Sequence, residues 1–146
     1  MSDWQIDNEN YQQWIEKVES PALQKLTVPG SAVDNNNHWP RISLVMPTYN
    51  STLRFLRDAI DSVLSQSYTK WQLCIADDAS QHTEVLQLLD QYRSSDSRIK
   101  IINANSRGGI AAATNLALAL AEGEYIAFMD HDDTLSRHAL LRVAEY

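Results

Sequence analysis

From Ile42 onward the hydrophobic period of the chain switches repeatedly, and this alternation constrains the fold more than any other feature. ISLVM, Ile42 to Met46, is a short apolar run; Leu53, Leu56, Ile60, Val63 and Leu64 then mark one face of a helix. WQLCIA, Trp71 to Ala76, is a second such run, Val85 to Tyr92 carries a second helical face, and Ile99 to Ile102 makes a third short strand. Gly108-Gly109 opens an alanine-rich helix from about Ile110 to Ala121, and Glu122-Gly123 ends it. YIAFM, Tyr125 to Met129, is a fourth strand, and a last helix begins near Ser136. Strand-helix-strand repeats of this length imply a parallel sheet with right-handed crossovers and helices on both faces. The fold class is therefore α/β.

The residues before Arg41 follow other rules. Tyr11, Trp14, Ile15 and Val18 recur at helical spacing, and Ser20-Pro21 reads as the cap and first position of a second short helix through Leu26. Thr27 to Pro40 has no apolar period and carries Pro, Gly, Ser and an Asn run, so it reads as a linker. Residues 1–40 are thus expected to form a helical extension and linker, and residues 41–146 the domain. A helical extension would expose Trp14 and Ile15 on one face, which then packs on its own domain or on a partner.

Composition excludes several classes. The net charge is -7 and no cluster of Lys and Arg appears, which argues against a nucleic-acid surface. An anionic ligand would need a cation to mediate. No window approaches the roughly 18 apolar residues of a membrane span, and no leader pattern opens the chain. Cys74 is the single cysteine, so no intramolecular disulfide forms, in agreement with a reducing, cytoplasmic setting.

Ligands of open parallel sheets bind outside the carboxyl ends of the strands, where strand order reverses. The loops to weigh are therefore Pro47-Thr48-Tyr49-Asn50, Asp77-Asp78-Ala79-Ser80 and Asp130-His131-Asp132-Asp133. Together they bring five carboxylates to one edge. Like charges held close destabilise a fold unless hydrogen bonds or a cation compensate, and oxygen ligands suit Mg²⁺ or Mn²⁺. Helix capping accounts for one acid of Asp77-Asp78 equally well. Three carboxylates within Asp130 to Asp133 exceed what one cap requires, with Asp133 the one best explained as a cap.

PTYN, then DDAS about thirty residues on, then GEYIAFMDHDD after a Gly-rich turn, each behind an expected strand, resemble the family 2 glycosyltransferases. The match runs from Arg41 to Tyr146. The resemblance implies a Rossmann-like GT-A domain that binds a nucleoside-diphosphate sugar with Mn²⁺ or Mg²⁺. Tyr49 would lie against the nucleobase, with Pro47 and Thr48 shaping the pocket. Asp78 would accept a hydrogen bond from the base, while Asp77 supports the loop. Asp130 and Asp132 would form the DXD motif, Asp132 as the preferred metal ligand and Asp130 nearer the ribose or a metal-bound water.

In that family an acceptor hydroxyl attacks the anomeric carbon with inversion and a carboxylate base removes its proton. The base lies beyond DXD, and only thirteen residues follow Asp133. The expectation is that the acceptor half and base are missing, which leaves a binding fragment without turnover as the alternative. A glycan or lipid-linked acceptor, in bacterial surface-polysaccharide assembly, follows from overall resemblance. Attachment at the inner face of the membrane is compatible with such a role, although no basic amphipathic segment supports it.

Other residues are weighed and set aside. His131 is a poor ligand for a hard, oxygen-preferring ion. Cys74 reads as a small buried apolar residue. Asn115 points either toward the sugar or to the surface, Gly108 and Gly109 permit a tight turn, and Arg107 beside them is a candidate phosphate contact. FMDHDDTL also matches the strand-DxDx[TV] pattern of haloacid dehalogenase-like phosphatases, but those place this strand first, and here three strands precede it. A dinucleotide-binding dehydrogenase is discarded because PTYN, not a Gly-rich turn, follows the first strand.

Overall fold

The computed structural model describes Gln13 and residues 39–145. Apart from Gln13 and residues 39–40, the helical extension and linker expected over residues 1–40 lie outside the described residues. The chain divides into two compact units, Met1–Asn37 and His38–Tyr146, and every described strand lies in the second.

Four strands and four helices alternate there: β1 (Ile42–Thr48), α1 (Leu53–Leu64), β2 (Trp71–Asp77), α2 (Thr83–Ser95), β3 (Ile99–Asn103), α3 (Ile110–Leu118), β4 (Tyr125–Phe128) and α4 (Ala139–Ala144). The sheet is parallel throughout, in the order β3-β2-β1-β4. The α/β architecture is the one the alternating periods imply. Strands β1 and β2 run two and one residues further than their apolar runs, into the Pro47-Thr48 and Asp77 positions of the loops. The last helix starts later than the sequence suggests, because residues 134–138 are held in a non-helical strap by side chains at the end of α1.

The chain steps outward from β1 to β2 to β3, then returns past both to β4. Crossovers of one hand therefore put α1 and α2 on one face and α3 on the other. In agreement, Ala113 and Ala117 of α3 pack with Val45, Cys74 and Ala76, while α1 contacts α2. Alanine at both positions brings the α3 backbone close to the sheet. On the opposite face of the sheet Leu44 pairs with Leu73 and Met46 with Ile75, all four with at most 1% exposure. Each such side chain stabilises the fold by roughly 1.5–3 kcal/mol through burial.

A buried polar cluster fixes the other end of the sheet. Ser43 Oγ donates to Gln72 Oε1 (2.9 Å) and accepts from the Gly123 amide (2.9 Å). Gln72 also accepts from the Glu122 amide (3.0 Å) and donates to the Leu120 carbonyl (3.0 Å). The turn into β4 is thereby pinned to β1 and β2. Gly123 is required there for space: a Cβ would meet the Arg41 carbonyl oxygen and Ser43 Oγ at 2.7 Å. Strand β4 forms one edge of the sheet, and Tyr125 and Phe128 on it are exposed. Among the described residues no helix is long and apolar enough to cross a membrane.

Candidate functional site

Strand order reverses at β1, which has β2 on one side and β4 on the other. A cleft of about 360 Å³ opens at that point, lined by Pro47, Thr48, Tyr49, Asp78, Arg107, Gly109, Ile110, Ala113, Asp130, His131 and Asp132. This is the place where a parallel sheet leaves room for a ligand, because successive crossovers on opposite faces diverge. Every residue the sequence singled out for the donor site, Pro47, Thr48, Tyr49, Asp78, Asp130 and Asp132, reaches this one cleft.

Two adjacent loops build its floor. Asn50 (φ 44°) and Ala79 (φ 59°) both hold left-handed backbone conformations, which is uncommon for a residue with a Cβ and is maintained here by cross-links. The Asn50 amide donates to Ser80 Oγ (2.8 Å), and Asn50 Oδ1 accepts from the Gln81 amide (2.7 Å). The Asp78 amide donates to the Thr48 carbonyl (2.8 Å). Ser51 Oγ pairs with Thr48 Oγ1 beneath. The PTYN and DDAS loops therefore form one rigid ledge.

The carboxylates of this edge fall into two groups. Asp77 and Asp78 are buried and partnered. Asp77 accepts from the amide of Ser80 through Oδ2 (2.8 Å) and from its hydroxyl through Oδ1 (2.5 Å), closing the DDAS turn on itself. Asp78 reaches across to α3 and accepts from the Gly108 amide at Oδ1 (2.7 Å) and the Gly109 amide at Oδ2 (2.8 Å). It thus satisfies two donors at the N-terminal end of α3, where the helix dipole also favours negative charge. Gly109 caps that helix with φ 84°, and a Cβ on Gly108 would come within 2.7 Å of Ala112 Cβ. Both glycines are thus needed for the loop to meet Asp78.

Asp130, Asp132 and Asp133 are exposed, and their side chains accept no hydrogen bond among the described residues. Asp133 closes a turn through its amide on the Asp130 carbonyl (3.2 Å) and lies away from the cleft lining. It caps no helix, since α4 begins at Ala139. The convergence of five carboxylates expected from the sequence is corrected to three in the cleft, Asp78, Asp130 and Asp132, because Asp77 turns into its own loop. No group of three or more His, Cys, Asp or Glu poised to hold a metal occurs among the described residues. The donor set of Asp130 and Asp132 still fits Mg²⁺ or Mn²⁺, which commonly take one or two protein carboxylates and complete their shell with water and phosphate.

Arg107 has a larger place than the sequence suggested. Its guanidinium carbon lies 4.3 Å from the centroid of the Tyr49 ring, a cation–π geometry at the cleft wall. It is the arginine among the residues lining the cleft. Asn115 is exposed and outside the cleft lining. Cys74 is fully buried, and that burial, with Glu122 adding to it, pushes the thiol up to about 11. Asn50, Ser80 and Ile110 also shape the site; the sequence offers the first two only as the last residues of PTYN and DDAS, without a role, and Ile110 only as the residue after the glycine pair.

Comparison with known proteins gives this geometry a family. The model of "Glycosyl transferase family 2" matches residues 43–146. Among curated proteins, "O-antigen biosynthesis protein RfbC" of Myxococcus xanthus is 38% identical over 120 residues, 82% of this chain and 9% of that protein. Among solved structures, S. aureus TarS 1-349 in complex with UDP superposes with a TM-score of 0.66 at 30% identity, covering 72% of this chain and 31% of that one. The mannosyltransferase PcManGT from Pyrobaculum calidifontis, in complex with GDP-Man and Mn²⁺, gives a TM-score of 0.61 at 25% identity, covering 67% and 29%. The chain spans 9% of RfbC and 43% of TuaG of Bacillus subtilis, another curated relative. With the family model covering most of its length and the cleft at the switch point of a parallel sheet, the chain belongs to glycosyl transferase family 2.

Proposed function

We propose that the cleft is the donor site of a glycosyltransferase, binding a nucleoside-diphosphate sugar together with Mn²⁺ or Mg²⁺. The observation that carries the reading is the joining, in one cleft, of an aromatic ring, a buried acceptor and two carboxylates without a hydrogen-bond partner among the described residues: Tyr49, Asp78, Asp130 and Asp132. The Tyr49 ring, backed by Arg107, offers a flat surface on which a nucleobase stacks. Asp78 keeps acceptor capacity beside the two glycine amides, since a carboxylate has about four lone-pair sites. Its burial makes an N–H donor from the base a favourable partner.

Asp130 and Asp132 face the diphosphate end. Two carboxylates and a diphosphate repel one another at close range, so the pair is compatible with that ligand only through a cation. Asp132 is assigned as the metal ligand and Asp130 as its neighbour toward the ribose. The metal, when bound, would neutralise charge on the leaving diphosphate. The chain's own residues do the rest: Tyr49, Pro47 and Thr48 orient the base, and the ledge of Asn50 and Ser80 keeps that orientation fixed.

Transfer to an acceptor hydroxyl with inversion, in the synthesis of a bacterial surface polysaccharide, is the reaction this donor site serves. The TarS complex with UDP and the PcManGT complex with GDP-Man and Mn²⁺ support the ligand class. RfbC, named for O-antigen biosynthesis, supports the pathway class. The acceptor is a glycan or lipid-linked saccharide, used on the cytoplasmic side of the membrane. Among the described residues none is assigned as the general base.

Calorimetric titration with UDP, GDP and dTDP, each with Mn²⁺ and again with EDTA, tests the reading. One nucleotide should bind, at least tenfold more tightly with Mn²⁺, and Asp132→Ala should abolish the metal-dependent gain. A folded Asp132→Ala protein with the full Mn²⁺ effect would refute the assignment.

A further inference from the structure

We infer that Gln66, remote from the cleft lining, is the positioning residue that sets where the Asp130–Asp133 loop stands. The inference rests on the donor-site reading and concerns how that site is held. The loop leaves β4 at a fixed point, since Met129 is buried and its amide donates to the Val45 carbonyl (3.1 Å). At its other end the chain enters a strap of residues 134–138 that has no regular secondary structure to hold it. Something must fix that end as well, or two like-charged carboxylates on a turn would drift apart.

Side chains at the end of α1 fill the role. Gln66 is 7% exposed, and its amide is fully engaged: Nε2 donates to the carbonyls of Ser136 (2.7 Å) and Ser62 (3.0 Å), and Oε1 accepts from the Leu140 amide (3.1 Å). Ser62 Oγ accepts from the Leu135 amide (3.0 Å) and donates to the Ala59 carbonyl (2.7 Å). The Ser67 amide donates to the Arg137 carbonyl (2.9 Å), and its hydroxyl pairs with His138 Nδ1 (2.8 Å). Five polar contacts thus bind residues 135–140 to the C-terminal end of α1, and two of them, at Ser136 and Leu140, come from Gln66. A planar amide with two donors and one acceptor matches two carbonyls and an N–H that a hydrophobic residue would leave unsatisfied.

The consequence is a division of labour within the site. Tyr49 and Asp78 are held by the ledge and by α3, whereas Asp132 is held by β4 on one side and by Gln66 on the other. Loosening Gln66 should harm the metal end alone.

Gln66→Met, close in volume and without hydrogen-bonding capacity, separates the two ends in the full chain. Gln66→Glu, of the same shape and still able to accept from the Leu140 amide but without the Nε2 donor to the Ser136 and Ser62 carbonyls, serves the same test where Gln66→Met does not fold. UDP and GDP affinities are measured in EDTA and in Mn²⁺, and hydrogen–deuterium exchange is followed at the amides of residues 130–135. The expected result is an EDTA affinity within about twofold of wild type, at least a tenfold loss of the Mn²⁺ enhancement, and faster exchange at 130–135. A general loss of packing would lower both affinities together, and that outcome overturns the inference. Unchanged enhancement and exchange overturn it too. If wild type itself shows no Mn²⁺ effect, the metal reading falls and exchange alone decides: acceleration confined to 130–135 upholds Gln66, and its absence refutes it.

Discussion

Replacing Asp78 by Asn probes the strongest single link between two loops of the site. The carboxylate accepts two amide hydrogen bonds, from Gly108 (2.7 Å) and Gly109 (2.8 Å), at 3% exposure. Hydrogen bonds to a charged group contribute about 1.5–3 kcal/mol each. Asn keeps one acceptor, so one bond survives in weaker, neutral form, and the new NH₂ faces the other glycine N–H. That donor is left unsatisfied, at roughly 1–3 kcal/mol. Loss of a negative charge at the start of α3 removes about another 0.3–1 kcal/mol. Relief of the buried charge offsets part of this. The net destabilisation should be about 2–4 kcal/mol, a large share of the roughly 5–15 kcal/mol that holds an ordinary domain. Urea unfolding followed by circular dichroism reads it as a lower midpoint at unchanged slope. Nucleotide affinity should fall as well, because Arg107 and Gly109 are positioned through the same contact. A variant within about 0.5 kcal/mol of wild type would show that the glycine turn holds itself, and the argument for Asp78 as its anchor would be wrong.

Other perturbations distinguish strain from crowding and burial from reactivity. Gly109→Ala meets no atom within 4 Å, but its φ of 84° and ψ of 172° fall in a region essentially reserved for glycine, so its loss should be the backbone penalty alone, about 1–3 kcal/mol, whereas Gly108→Ala must push Ala112 away and should lose more. Denaturant midpoints of the two variants, measured together, check the ranking. The Cys74 thiol, raised to about 11 by burial first, should stay unreactive toward a thiol reagent at pH 8 in the folded protein and react at once in urea. Because its folded pKa lies above the unfolded one, its contribution to stability is complete at neutral pH and is lost as pH rises toward 11; Cys74→Ala should flatten that alkaline limb of the stability curve.

The fold was legible because β1 and β2 are apolar along most of their length and α1 has a clean helical face. These are patterns of period, and period survives in a sequence without knowledge of neighbours. The candidate cleft could be located for a related reason: in a parallel sheet the loops outside the carboxyl ends of the strands face one edge, so PTYN, DDAS and DHDD could be placed there before any contact was known. What could not be read is pairing between distant loops. Nothing in the neighbourhood of Gln66 distinguishes it from a surface glutamine in the run LSQSY, and its value depends on Ser136 and Leu140 about seventy residues away. Arg107 likewise acquires meaning only when the glycine turn carries it to Tyr49.

The same limit explains why the sequence brings five acids to one edge without showing which of them are already partnered. Sequence reports a carboxylate's presence, whereas its chemistry depends on how many donors already face it. Asp77 and Asp78 meet four between them, from Ser80, Gly108 and Gly109, and this is what allows two adjacent negative side chains to be buried at the end of β2. Asp130 and Asp132 meet none among the described residues and stay exposed at the cleft. A cation entering the cleft finds the first pair already compensated and the second pair free to supply oxygen. The metal end of the proposed donor site is thus marked by the hydrogen bonds its acids lack, and the base end by those Asp78 makes. Removing a partner from the base end should destabilise the fold before it alters metal binding, while Asp132→Ala should alter metal binding with little change in stability.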